Sequence, residues 1–379
     1  MATLTRFPDY LPRYLGQRQR IVLATGLLVL GLGIVLVLSL TMGSVALTGS
    51  ELMAAALRQG DAIHQTILWE LRLPRVLAAL VVGAALGLAG ALLQGMLRNG
   101  LASPFLLGIS AGAGLMVVLA VGVGLVQIWV PLGAWLGAVM TTLLVYLLAR
   151  TGTTISVERL ILGGVAFSSF FGAIQSLLLL LSPDGQIQAA LNWLIGSLNG
   201  RGWSEVTLVG PGIVVALGVG CLLARQVNLL SLGDDLATGL GTSLMRSRCL
   251  IGAVATLLAA GAVSIAGLVG FVGLIVPHGV RLLVGTDYRL VLPFSALGGA
   301  LVLSAADLMA RAGPVELPVG VVTAVLGAPV FIWLLHRRRA QRRAIVMPLE
   351  ARQLSWCSMA IAPSLPRSIY PWRPGNGSA

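Results

Sequence analysis

Long uncharged, apolar stretches alternate along this chain with short polar islands that hold nearly all of its charge. The stretches cover 21–50, 76–97, 99–149, 160–183, 206–224, 249–280, 290–306 and 317–336. A bilayer crossing takes about 20 apolar residues, so the stretch 99–149 holds two helices, the second opened by Pro131. The stretch 249–280 is read as two more spans, turning between Gly261 and Gly267. Those two share only 32 residues, so one of them must be short or broken. Ten spans result, and the fold class expected is an all-α polytopic membrane protein.

Composition agrees: with 57% hydrophobic and 10% charged residues there is too little polar surface to clothe a soluble globule. All 25 basic residues are arginine, and their placement orients the chain, because cytoplasmic loops are enriched in positive charge. Arg246 and Arg248 precede the stretch 249–280 and Arg281 and Arg289 follow it, which requires two crossings there. Both termini are basic (Arg6, Arg13, Arg18 and Arg20; Arg337, Arg338, Arg339, Arg342 and Arg343) and are expected in the cytoplasm, at a bacterial inner membrane. Only Arg58, Arg72, Arg75, Arg201 and Arg311 then face outside. The net charge of +12 follows from orientation and calls for no nucleic acid. Ser44-Val45-Ala46 resembles a signal-peptide cleavage site, yet the preceding apolar stretch exceeds the usual h-region and is read as a retained first helix. The expected organisation is a cytoplasmic segment 1–20, a membrane domain 21–336 and a basic, disordered cytoplasmic tail 337–379, whose arginines would hold the anionic leaflet.

Catalytic and metal chemistry have little to stand on. Cys221, Cys249 and Cys357 lack paired metal spacing, and His64, His278 and His336 are scattered. No metal site, cofactor or enzyme activity is expected. A Walker A loop needs its lysine and the chain has none, so a pump built on it draws energy from an ion gradient or from another polypeptide. Ion-coupled carriers place ionisable groups inside the bilayer, and Asp307 is the single acid well inside a span, which favours a partner polypeptide. A proton-coupled carrier titrating Asp307 or Glu316 is the remote alternative.

Four islands carry the remaining chemistry. In 71–75, LRLPR, two arginines face outside against the charge trend, either anchoring lipid headgroups or meeting an acidic partner. The island 95–104, GMLRNGLASP, reads first as turn chemistry. In 227–248, VNLLSLGDDLATGLGTSLMRSR, an apolar stripe including Leu232, Leu236 and Leu240 lies beside Asp234 and Asp235. Acids suit the first turn of a short helix, and an acidic amphipathic helix fits a protein surface better than lipid. In 267–287, GLVGFVGLIVPHGVRLLVGTD, glycines permit close helix packing and Pro277 bends the helix. Gly83 with Gly87, Gly108 with Gly112 and Gly133 with Gly137 repeat that small-residue spacing.

These islands resemble the permease subunits of the iron-siderophore, haem and cobalamin branch of ATP-binding-cassette (ABC) importers, over most of residues 70–335. The resemblance rests on RLPRVLAALVVGAALGLAGALLQGMLRNGLASPFLLGISAGAG (72–114), NLLSLGDDLATGLG (228–241), GLVGFVGLIVPHGVRLLVGTDYRLVLPFSALGGA (267–300) and ELPVGVVTAVLGAPVFIWLL (316–335). It implies the type II importer permease fold, a second permease subunit, identical or paralogous, two cytoplasmic ATPase subunits and a periplasmic or lipid-anchored binding protein. On that pattern Arg72, Arg75 and Arg311 match positions that dock the binding protein. Leu232, Gly233, Asp234, Asp235, Leu236, Leu240 and Gly241 fall in the region that couples to the ATPase. The cytoplasmic gate falls at Ser156, Val157 and Glu158, where the cobalamin permeases carry small hydroxyl residues. Ser168, Ser169 and Gln175 either line the translocation path or bond between helices. Asn192 to Leu198 with Trp203 is spelled more like the siderophore permeases, so a ferric siderophore is the expected cargo, with haem or cobalamin as alternatives.

Overall fold

A computed structural model describes residues 16–43, 45–124, 129–152, 154–333 and 336. Arg6, Arg13, Cys357, the basic run 337–343 and the tail beyond it lie outside the described residues. Contacts divide the chain into Met1–Gly327 and Ala328–Ala379, and the account below concerns the first unit.

Its helices are α1 (Gln17–Thr41), α2 (Gly49–Ala56), α3 (Ala62–Thr66), α4 (Leu73–Met96), α5 (Ile109–Gly122), α6 (Val130–Ala149), α7 (Val157–Leu180), α8 (Asp184–Leu194), α9 (Trp203–Leu222), α10 (Ala224–Ser231), α11 (Asp234–Gly239), α12 (Leu244–Ala266), α13 (Val272–Val284) and α14 (Tyr288–Ala310). A further helix, α15, covers Val319–Trp333. A two-residue antiparallel hairpin, β1 (Arg150–Thr151) and β2 (Thr154–Ile155), joins α6 to α7.

Among the described residues seven helices are long and apolar enough to cross a bilayer, and α5, α13 and α15 are shorter apolar helices, which accounts for the ten spans expected. At 1.5 Å per residue α13 is about 20 Å long, short of a hydrocarbon core of about 30 Å. It is therefore the broken member of the pair expected in 249–280. The turn begins at the late end of the range expected, after Ala266. Gly261 is inside α12, where it makes room for Ile213 of α9. Gly267, at φ +69°, occupies a backbone region closed to most side chains and ends the helix.

The second span is also longer than its apolar core. Ala62–Met96 is one continuous helical run of 35 residues, in which α3 passes through a π-helical segment, Ile67–Arg72, into α4. Pro74 stands at the junction of the π segment with α4 and, lacking an N–H, leaves the backbone ladder one bond short there. The wider turn of the π segment re-aims the residues that follow it.

α4, α12 and α14 form the centre. The apolar stretches of the Ala62–Met96 helix and of α12 are each 78% buried, against 6% for α1 and 17% for α7. Glycines let the central helices touch backbone to backbone: Gly83 against Gly299, Gly87 against Ser295, and Gly90 against Gly273 of α13. Gly112 meets Gly137 and Thr141 in the same way, whereas Gly133 faces open space. The small-residue spacing thus marks real contacts at five of its six glycines, Gly133 being the exception.

The backbone freed at the α12–α13 break is bonded within the protein, as nonhelical backbone at membrane depth must be. Ser197 N donates to the Ala266 carbonyl at 2.9 Å and Gly320 N to the Gly196 carbonyl at 3.0 Å. The break, the turn after α8 and the first turn of α15 therefore meet in one node.

Candidate functional site

Three groups of residues stand out, two at the end where α4 begins and one at the end where it finishes.

At the first end Asp307, 1% exposed on α14, lies between two arginines. Arg75 donates to it through Nη2 at 2.8 Å and Nε at 3.1 Å. Arg311 pairs with its other oxygen at 3.0 Å and also donates to the carbonyls of Asp307 and Ser39. Arg75 reaches Glu316 as well. Arg72 is turned inward, 6% exposed, donating to the carbonyls of Leu40, Thr41 and Val45 where α1 ends. The three arginines expected to dock the binding protein thus have partners within the chain: Arg72 satisfies carbonyls that a helix end leaves unpaired, and Arg75 and Arg311 neutralise a buried acid. Of this cluster Glu316 is the most open member, at 32%. Asp307, read from sequence as a lone intramembrane acid, is the hub of an ion-pair network.

Beside this cluster is a cavity of about 970 Å³ lined by α5, α8, the 197–205 segment and residues 316–318 just before α15. Asn192, Ser197, Asn199, Arg201 and Glu205 give it hydrogen-bonding walls, and Glu316 links it to the Asp307 cluster. Arg201 lies 3.9 Å from Glu205, and the Arg201 guanidinium, outside the spans, is pushed below its usual pKa by burial, partly offset by Glu205. Trp203 donates its indole N–H to the Trp69 carbonyl at 2.8 Å, tying α9 to the π-helical segment.

At the opposite end the 227–248 island divides in two. Val227 to Ser231 belong to α10, with Val227 and Leu230 buried, and Gly233, at φ +114°, turns the chain into α11. α11 buries Ala237 and leaves Leu236 and Leu240 60% and 61% exposed, with Leu232 beside them at 55%. Asp235 is exposed and Gly241 closes the helix in a positive-φ turn. Asp234 is not a free surface acid: Arg248 pairs with it at 2.8 Å and Arg98 at 3.6 Å. Arg248, 3% exposed, also donates to the Ile155 carbonyl at 2.8 Å.

Ile155 immediately precedes the expected gate residues. Ser156 caps α7, its hydroxyl accepting from Arg159 N; Val157 is half-buried and Glu158 is exposed in the first turn. Further along α7, Gln175 packs over Gly114 of α5 and Ser168 lies near Gly108, the cap of α5. Ser169 is on the uncovered face with Leu162, Val165, Phe170 and Leu177. The three residues expected along a path therefore divide between a helix contact and an open face.

Arg248 and Glu316 carry more of this geometry than their sequence reading gave them. The available signal for Arg248 was its place directly beside the apolar stretch 249–280, where a long helix carries its first turns in among its neighbours.

Comparison with known proteins agrees with this architecture. The model of the FecCD transport family matches residues 31–337. The chain is 42% identical over 278 residues, 73% of its length and 75% of the other's, to the cobalamin import system permease protein BtuC of Halobacterium salinarum. It is 38% identical to the hemin transport system permease protein HmuU of Yersinia pestis, covering 83% of this chain and 97% of that one. It is 43% identical to the Fe(3+) dicitrate transport system permease protein FecD of Escherichia coli, covering 73% and 87%. A solved metal-chelate type ABC transporter in an inward-facing conformation superposes with a TM-score of 0.76 at 33% identity, covering 83% of this chain and 99% of that one.

Proposed function

Since the chain belongs to the FecCD transport family, and is accordingly a permease subunit of an ABC importer for iron-siderophore, haem or cobalamin whose ATPase is a separate subunit, we propose that its cargo is a ferric siderophore. The cavity carries this reading. Its volume, about 970 Å³, lies at the upper end of the roughly 300–1,000 Å³ of small-molecule sites. Its amide, hydroxyl and guanidinium walls suit a polar, hydrogen-bonding chelate better than a flat apolar macrocycle. The spelling of Asn192 to Leu198 with Trp203 points the same way.

The orientation that supports this role has both termini and α11 in the cytoplasm, and the Asp307 cluster outside. The uncovered row Leu232, Leu236 and Leu240 is the contact for the ATPase: exposed apolar rows on a short, internally anchored helix are the shape of a protein-docking edge. Outside, the rim formed by Arg75, Arg311 and Glu316 receives a substrate-binding protein, with Arg72 holding the rim's backbone. The uncovered face of α7 lines the path or meets the second permease subunit, and Ser156, Val157 and Glu158 close its cytoplasmic end.

The decisive experiment is uptake into cells lacking the endogenous system and carrying this chain with its ATPase and binding protein. Ferric siderophore, hemin and cobalamin are offered separately. Accumulation of ferric siderophore, lost with the ATPase and retained with a protonophore present, is the expected result. Accumulation of hemin or cobalamin alone would overturn the cargo assignment, and uptake indifferent to the ATPase would overturn the coupling.

A further inference from the structure

Arg248 lies one turn into α12 with its side chain 4% exposed, where segments far apart in sequence converge. Its Nη1 donates to the Ile155 carbonyl at 2.8 Å. Its Nη2 donates to both carboxylate oxygens of Asp234, at 2.8 and 2.9 Å. Ile155 closes the β1–β2 hairpin, one residue before the Ser156 cap of α7, and Asp234 opens α11. A single buried guanidinium therefore holds the ATPase-facing helix by one arm and the root of α7 by the other.

We infer that Arg248 is a positioning residue that carries displacement of α11 to the hairpin and so to α7. The inference rests on the reading of α11 as the ATPase contact. Three physical points support it. A guanidinium is planar and rigid, so its two terminal nitrogens keep a fixed geometry that a lysine cannot reproduce. Bonds from a charged donor are the stronger class, and the guanidinium itself is shut away from water although Asp234 is 38% exposed, so the donor end of both arms has no solvent to exchange with. The base of the arm is held too, since the Tyr146 hydroxyl, packed over Gly252, approaches the Arg248 carbonyl at 3.5 Å. The other cation on Asp234, Arg98, is 46% exposed at 3.6 Å. An ion pair so open to solvent is weak and adjustable, which leaves Arg248 as the stiff connection.

The test uses the full complex with ATPase and binding protein in nanodiscs, with the native cysteines replaced and spin labels at Arg159, in the first turn of α7, and Leu222, at the end of α9. The label-to-label distance is measured without nucleotide and with ATP and vanadate. In the parent the distance is expected to shift with nucleotide. In Arg248→Lys, which keeps the charge but not the fork, the shift is expected to be lost while the ATPase still copurifies; in Asp234→Asn, which weakens the opposite arm, the shift is expected to be lost as well. A parent distance that ignores nucleotide overturns the inference, as does a full shift in both variants. Leu236→Arg separates the two ideas. If it releases the ATPase while Arg248→Lys keeps the shift, the relay fails and the contact stands. If it leaves the ATPase bound and active, the contact fails and takes the relay with it.

Discussion

Asp307 shows what a single carboxylate does when two arginines are brought to it in a nearly closed site. Arg75 and Arg311 are 12% and 11% exposed, so removing the acid leaves two cations with little water to replace it. Breaking a buried pair in this way costs about 3–5 kcal/mol. Asp307→Ala is therefore expected to lower the thermal midpoint of the detergent-solubilised protein sharply, whereas Glu316→Gln, at a third exposed, is expected to cost under about 1 kcal/mol. Equal midpoints for the two variants would contradict the hub. Arg72 gives the complementary case. Arg72→Ala strips three carbonyls of their donor and should reduce stability, while leaving the salt dependence of binding-protein association where it was. Altered salt dependence with unchanged stability would return Arg72 to the docking surface.

At the scale of the helix, the contact of α4 with α13 and α14 depends on glycine at particular faces. A Cβ on Gly90 would enter the backbone of Gly273, while one on Gly133 would meet nothing within 4 Å. Gly90→Ala is expected to cost about 1–3 kcal/mol by overpacking; Gly133→Ala should stay within about 0.5 kcal/mol of the parent. Thermal unfolding of the two variants side by side checks both. The same pair shows how far sequence reading reaches. Spacing marked Gly83, Gly87 and Gly133 alike, because periodicity identifies a face but not what lies opposite. The ten spans were legible because apolar length is a direct physical requirement of the bilayer. The π-helical turn that ends at Arg72 was not, since nothing in ILWELR distinguishes it from an ordinary helix, and Arg72 and Arg75 lie at its end and just past it. The split role of 227–248 was hidden for a similar reason: the pairing of Asp234 with Arg248 depends on the way α11 folds back on α12.

For the whole molecule, the proposed orientation makes opposite demands on the two ends. With the native cysteines replaced, Gln59→Cys should react with an impermeant thiol reagent in intact cells, and Glu158→Cys only after permeabilisation; the reverse pattern would invert the topology. The leucine row on α11 bears on the protein before it is ever assembled. Leu232, Leu236 and Leu240 stay uncovered even though the helix beneath them is pinned by Ala237 and Asp234, so a chain inserted ahead of its ATPase displays a sticky edge to the cytosol. Such edges are what quality-control proteases recognise in an orphaned subunit. Expressed alone, the protein should turn over faster than when its ATPase is supplied, and Leu236→Ser should lengthen the life of the orphan while shortening that of the assembled transporter.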